Sequence, residues 1–378
     1  MIKIAIAGDY VTTNRVKALV EEQQYEQVMG DVRQWCKSYD YSLVNLECPV
    51  LPANPKPIVK CGPNLSCSEN SLKMLQYAGF NCACLANNHF YDYGEDGVKD
   101  TLDALQKLDI DHVGGGMDLA EASATLFKKV GTETLAVINC AEHESSIATK
   151  YSGGSNPLNP IAQYYAIQEA RKKADYVIVI THGGVEQYEL PTPRMQETFR
   201  FFIDAGADAV INHHQHCPTG YEQYKGKPIF YGLGNFCFDS KNYRNSNWNE
   251  GYVVSLCFDR GKVNGEIHPY TQCNEKPAVV FMEGEERRLF IKKMEKANVM
   301  IADEEALEKA HLQYMDSTWK RHVSLFTPYA GRWTMSLCEK GLLPTLFPKK
   351  KWPTMLNMIE CESHRERIIH FIKDKMNK

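Results

Sequence analysis

The sequence has 378 residues, enough for one large domain or two smaller ones whose core needs no covalent staples. Hydrophobic residues at 43% and charged residues at 24% are ordinary for a globular chain, and a formal net charge of −4 excludes a general nucleic-acid binder. Thirteen cysteines, odd in number and with no Cys-x-x-Cys pair, exclude the disulfide framework of a small secreted domain.

The chain opens MIKIAIAGDY, a short apolar run ending at Gly8-Asp9. It reads as a buried strand over residues 2–7 and not as a secretory signal. Further strand-length apolar runs are predicted at 41–46, 81–86, 135–139, 176–180, 209–212 and 228–231. Cys82 and Cys84 share one face of the third run and read as reduced core residues. Amphipathic helices are predicted over 66–78, which starts with Ser and stops before Gly79, over 94–108, and over 192–205 before Gly206. Residues 252–258 and 263–270 read as a β-hairpin turning at Asp259-Arg260-Gly261-Lys262. From about Glu283 the pattern is helical, which places a boundary near residue 275, between a domain of 1–274 and a helical extension of 275–378. Strand-length runs alternating with helices predict an α/β fold around a largely buried sheet. No run approaches a membrane span, and the chain is read as cytoplasmic.

The chemistry is positional. The runs end in Gly8-Asp9, in Glu47, in Asn87-Asn88-His89, in Thr181-His182-Gly183-Gly184, in His213-His214-Gln215-His216 and in Gly232-Leu233-Gly234-Asn235. Sites in α/β sheets form outside the carboxyl ends of strands, so these residues are expected to converge on one rim. Asp9 alone reads as a turn acid or helix cap, Glu47 as a surface acid, Asn88 as a left-handed turn and His89 as a core histidine. Six coincidences together point to metal, and the histidine string at 213–216 is the most specific part. In an extended segment His214 and His216 would point the same way. Mixed carboxylate, amide and imidazole donors suit Mn, Fe or Zn, with one or two ions. Arg15, Arg194 and Arg244 follow these segments and are candidates for holding an anionic small-molecule or polymer substrate. Tyr91, Tyr188 and Phe236 are candidate pocket walls. Lys60 reads as a loop lysine, with contact at the rim as the alternative.

The ordered set GDY, NLE, ANNHFYDYG, THGGVE, INHHQH and YGLGNF resembles the CapA family of bacterial capsule and poly-γ-glutamate synthesis proteins over residues 1 to about 240. That family is similar to the calcineurin-like metallophosphoesterases. The resemblance implies a four-layer α/β/β/α sandwich carrying the helical extension. It implies Asp9, Glu47, Asn88, His182, His214 and His216 as metal ligands, with Glu47 at the bridging position. It also implies His89, paired with Asn88, as the residue that faces substrate or leaving group. The usual Asp-x-His opening is replaced by Asp9-Tyr10-Val11, so one metal lacks a histidine, and Glu186 is a candidate addition. The implied reaction is hydrolysis of a phosphoester, or of a capsule or poly-γ-glutamate polymer, by metal-activated water. A non-catalytic accessory role in making that polymer is the alternative. The extension, with its basic-aromatic 346–352 segment (LFPKKKW), is a candidate lid, partner or homo-oligomer contact.

Overall fold

The computed structural model describes residues 1–324 except Cys61, residues 331–343, and Trp352, Met355, Leu356, Ile359 and Ile372. The chain divides into two compact units, Met1–Glu308 and Lys309–Lys378.

The first unit is built on two sheets. One runs in the order Val279–Phe281, Lys262–Gln272, Glu250–Asp259, Ile2–Val11, Tyr41–Leu46, Cys82–Cys84, Asp111–Val113, with Asn235–Phe238 also pairing to Ile2–Val11. The other runs Tyr221–Tyr224, Lys227–Phe230, Ala209–His213, Tyr176–His182, Glu133–Ala141, Leu126–Val130. The strands carrying the site are parallel to one another at the centre of each sheet, and Ile2–Val11 is antiparallel to Glu250–Asp259 on its other side.

Alternation along the strands explains the layers, because residues two apart share a face. Ile2, Ile4, Ile6, Tyr41, Leu43, Cys82 and Cys84 pack against Leu135, Val137, Ile178, Ile180, Ala209 and Ile211, making one apolar layer between the sheets. The opposite face of the first sheet, with Ala7, Val44, Leu46 and Ala83, packs on the helices Asn14–Glu21, Tyr25–Cys36, Glu69–Ala78 and Gly94–Lys107. The opposite face of the second sheet, with Ala136, Ile138, Val177, Val179 and Val210, packs on Pro160–Arg171 and Pro193–Asp204 through Ile167, Phe199 and Phe202. The result is the four-layer α/β/β/α sandwich that the resemblance implied. Each fully buried Ile, Leu, Val or Phe contributes about 1.5–3 kcal/mol of transfer free energy, so this three-tiered apolar packing is the main source of stability.

Local signals work as the residues dictate. The helix Glu69–Ala78 stops at Gly79, whose φ of 94° is left-handed. Thr192 accepts the Met195 N–H (3.2 Å) and Pro193 takes the first helical position of Pro193–Asp204. The hairpin turns through Arg260 and Gly261, at φ 49° and 77°, the two left-handed residues of a two-residue turn. Among the described residues no helix is long and apolar enough to cross a membrane.

The first unit extends past the boundary expected near residue 275. Val279–Phe281 adds an edge strand, and the helix Gly284–Ala302 sets Phe290 and Met294 into the layer between the sheets. Polar composition hid these few apolar anchors. The second unit contains, among its described residues, the later part of the helix Glu304–Ser324 and the helix Arg332–Glu339. The 346–352 segment lies outside the described residues apart from Trp352.

Candidate metal centre

Asp9 is delivered by a break in its own strand. The first half of Ile2–Val11 pairs with Glu250–Asp259, while Asp9 to Val11 pair with Asn235–Phe238. At the crossover a Cβ on Gly8 would lie 2.0 Å from the Gly234 carbonyl oxygen, so only glycine fits. Register shifts on both sides of Asp9, and such irregularities re-aim a side chain. The other side chains of the cluster follow strand parity. The face that carries Tyr41 and Leu43 ends in Asn45, and the face that carries Ile178 and Ile180 ends in His182. His213 ends its strand and ties the sheets, its ring nitrogens 3.1 Å from Ala7 O and 3.3 Å from Thr181 O.

His214 and His216 converge for a reason other than the extended backbone expected of them. Both are left-handed, at φ 96° and 55°, beyond the end of the Ala209–His213 strand. They therefore serve different halves of the cluster: Glu47, His182 and His214 form one possible ligand group, and Asp9, Glu47 and His216 the other. Glu47 belongs to both. Holding a non-glycine residue there costs about 1–3 kcal/mol, a cost that persists at functional sites.

All of these side chains are buried. His182 Nε2 lies 3.0 Å from Asn88 Oδ1, 3.1 Å from His214 Nδ1 and 3.6 Å from Glu47 Oε1. His216 Nδ1 lies 3.5 Å from Asp9 Oδ2, and its Nε2 3.7 Å from Glu47 Oε1. Asn45 Nδ2 donates to Asp9 Oδ1 (2.8 Å) and to His182 Nδ1 (3.3 Å). Asn235 Oδ1 lies 2.9 Å from His216 Nδ1, and its Nδ2 donates to His216 O (3.1 Å).

The decisive detail is Glu47. Both of its carboxylate oxygens are buried with no hydrogen-bond donor. An uncompensated buried carboxylate costs several kcal/mol, and two imidazole nitrogens 3.1 Å apart can share only one proton. One or two divalent cations answer all of these unmet groups, so the donor set fits metal.

The electrostatics describe the same deficit. Burial pushes the Glu47 carboxyl well above its ordinary range, with Asp9 adding to it and His216 opposing. Burial would raise Asp9 too, but His216 and His213 outweigh it and leave Asp9 low. Burial would lower His216, but Glu47 and Asp9 hold it at about 10. His182 and His214 are driven down by burial and by the neighbouring imidazoles.

Beside this cluster, His89 Nδ1 lies 2.6 Å from Asp92 Oδ2, so the ring is held by a carboxylate one turn on. No partner for His89 Nε2 is found among the described residues. Asn235 reaches the rim as its strand-end motif predicts, whereas Asp92 and Asn45 had no role in the sequence reading; Asp92 could have been found from its place three residues after His89. Lys60 is not the solvated loop lysine expected: its side chain is 4% exposed, its ammonium pairs with Asp92, and it lies 2.9 Å from His89 Nδ1.

The three arginines separate. Arg15 Nε and Nη2 donate to Asp239 at 3.1 and 2.9 Å, and its remaining donors go to the carbonyls of Cys273, Asn274 and Glu275. Arg244 pairs with Asp239 (2.7 Å) and donates to Cys273 O. These two guanidiniums clamp three segments of backbone together, and neither is bonded to the cluster, contrary to the substrate contacts expected of them. Burial raises Asp239, but Arg15 and Arg244 more than compensate and hold its carboxyl below the usual range. Arg194 is exposed and pairs with Glu142, whose other oxygen accepts the Gly184 N–H (3.1 Å) at the rim. Glu186 is exposed; its charge reaches Glu47 and His216 without entering a ligand group. Phe236 is a core residue, edge-on to Phe80 and Tyr270, and Tyr91 donates to Glu95 (3.0 Å).

The model of the bacterial capsule synthesis protein family PGA_cap matches residues 3–240. This chain belongs to that family. A capsule biosynthesis protein CapA of Bacillus anthracis is 35% identical over 63% of this chain and 60% of its own length, so the chain spans about three-fifths of that relative. A PGA biosynthesis protein CapA of Bacillus subtilis is 30% identical over 78% of each chain. Among solved structures, a phosphatase of Mycoplasma pneumoniae is 17% identical with a TM-score of 0.45, covering 72% of this chain and 95% of its own. A calcineurin-like phosphoesterase of Bacillus subtilis is 12% identical with a TM-score of 0.39, covering 82% and 98%. The four-layer assignment for this capsule-family protein rests on its own strand order and cores. The matched span covers every residue of the cluster and ends within two residues of the last strand that supports it, Asn235–Phe238.

Proposed function

We propose that this chain is a metal-dependent hydrolase of capsule or poly-γ-glutamate production, cleaving a phosphoester or a bond of the polymer itself. The observation that carries the reading is the pair of donorless, fully buried oxygens of Glu47, flanked on both sides by imidazoles. Asp9, Glu47 and His216 would hold one cation, and Glu47, His182, His214 and Asn88 the other. Mn, Fe and Zn suit the donors. What such cations supply is Lewis acidity, which polarises a phosphoryl or carbonyl oxygen and makes hydroxide available near neutral pH.

The chain's own residues do the rest. Asn45 and Asn235 fix the orientation of Asp9, His182 and His216, so the ligands need no rearrangement at the moment of reaction. His89, held at Nδ1 by Asp92, offers Nε2 to the leaving group and would place a proton there. Burial of every ligand excludes bulk water and strengthens these interactions.

The test has two steps. Metal content is measured on protein purified without added metal; then an aryl phosphomonoester, an aryl phosphodiester and a γ-glutamyl polymer are offered with Mn. The expected result is bound metal and turnover of one panel member. That turnover should fall about 10²–10⁴-fold in His89→Gln with metal retained. Stoichiometric metal with no turnover of any substrate would replace this reading with that of a non-catalytic accessory protein.

A further inference from the structure

Among the described residues between Val50 and Ser66 the chain is irregular and mostly exposed, yet it is pinned at one place. Ile58 N–H donates to Asp92 O (3.0 Å), Leu65 N–H donates to Asp92 Oδ2 (2.7 Å), and the Lys60 ammonium pairs with Asp92 Oδ1. Side chains along it are inverted. Val59 is 83% exposed, while the Lys60 side chain beside it is 4% exposed. A lysine on a surface loop ordinarily reaches water with its ammonium, and burying that charge is costly unless it is well paired. Here an apolar side chain is left in solvent and a cation is turned inward, so the local conformation is governed by what Lys60 meets.

Two groups meet it. Asp92 is fully buried, and neutralising it would satisfy both charges. But Lys60 Nζ also lies 2.9 Å from His89 Nδ1, the atom that Asp92 Oδ2 approaches at 2.6 Å. A ring nitrogen has one hydrogen-bonding site, so with the Nδ1 proton donated to Asp92 Oδ2 the ammonium does not bond the ring itself but holds it through the other oxygen of Asp92. That brace leaves one ring orientation, with Nδ1 turned to Asp92 and Nε2 left over.

We infer that Lys60 is a positioning residue for His89: by pairing with Asp92 Oδ1 it holds the carboxylate that receives the Nδ1 proton, and so fixes the ring with Nε2 toward the substrate. The inference rests on the hydrolase reading for its activity arm only. A second arm reads the ring directly.

The direct arm is the ring ¹H–¹⁵N spectrum of the full-length protein, with His89 assigned by its loss in His89→Gln. Lys60→Met is expected to move the His89 Nδ1 resonance while leaving the rings of His112 and His268, which lie outside the cluster, in place. Unchanged His89 resonances would overturn the inference. The activity arm is a double-mutant cycle on the metal-loaded protein, with melting temperature and metal content as controls on folding. Lys60→Met is expected to lower kcat about 10–100-fold with little change in KM. In the His89→Gln background it should cost almost nothing more, because both changes remove one function. An equal loss in both backgrounds would assign Lys60 to stability alone and overturn the inference. Absence of turnover in the wild-type protein would count against the hydrolase reading and leave the ring spectrum to decide on Lys60.

Discussion

Two buried polar clusters are built from the same two stretches of chain. Asp9 and Asn235 belong to one; Arg15 and Asp239, a few residues further along each stretch, belong to the other. In the second, Asp239 has a guanidinium on each carboxylate oxygen, and Arg15 adds the three carbonyls of 273–275. In the first, Glu47 has no donor on either oxygen, and His182 and His214 present nitrogens to each other. Buried polar groups in proteins are almost always partnered. The contrast therefore separates the clusters: the closed one joins segments of the fold, and the open one has the unmet donors and acceptors that fit a cation.

Substituting one carboxylate in each cluster breaks the comparison most directly. Glu47→Gln should remove bound metal and lower any hydrolysis by about 10³-fold or more. The metal-free variant should melt no lower than the metal-free wild type, because a neutral amide replaces a carboxyl whose ionisation burial already opposes. Elemental analysis and calorimetry of chelated protein read both outcomes. A large fall in the melting temperature would mean that Glu47 has a partner in the protein after all.

Asp239→Asn should do the opposite, leaving metal stoichiometry intact and costing about 2–3 kcal/mol. That figure is set below the 3–5 kcal/mol typical of a fully buried pair because Arg15 and Arg244 keep some solvent contact. The pH dependence has a definite sign. The Asp239 carboxyl is held below its ordinary value by Arg15 and Arg244. Its contribution is therefore complete above the unfolded value near 3.9 and is lost as pH falls through the folded value. The gap in melting temperature between wild type and variant should be level from about pH 7 to pH 5 and close only below about pH 4. A gap that closes already at neutral pH would assign the effect to another group.

The same contrast marks what could be read from the residues. The strand over 41–46, the alternation of runs with helices, and the polar strand ends were legible because period and position are local signals. The convergence of Asp9, Glu47, Asn88, His182, His214 and His216 was legible because parallel strands deliver their carboxyl ends to one rim. Arg15 and Arg244 were not: their partners are Asp239 and backbone 260 and 29 residues away, and no local pattern records which anion an arginine will meet. For Lys60 a loop lysine was the first reading and contact at the rim the alternative, since its inward turn depends on Asp92, 32 residues on in the sequence. The geometry of His214 and His216 was hidden as well, because two left-handed residues outside a glycine or asparagine context leave no compositional trace.

Arg194 lies between the two patterns and gives the smallest effect. It is paired like the clamp arginines, but its partner Glu142 sits on the rim: Glu142 N–H donates to His182 O (2.9 Å) and its carboxylate accepts the Gly184 N–H. The Arg194 side chain remains 60% exposed, and Glu144 stands 3.7 Å from His214 Nε2. Arg194 is thus the most exposed of the three arginines, and we propose that it offsets the acidic rim for an anionic substrate. Arg194→Gln should raise KM about 2–5-fold with kcat unchanged, an exposed charge being worth about 0.2–1 kcal/mol. The difference should shrink in 1 M salt, where the screening length is about 3 Å. A fall in kcat that salt does not relieve would show instead that Arg194 acts through Glu142 on the His182 loop, as a structural partner like the clamp arginines.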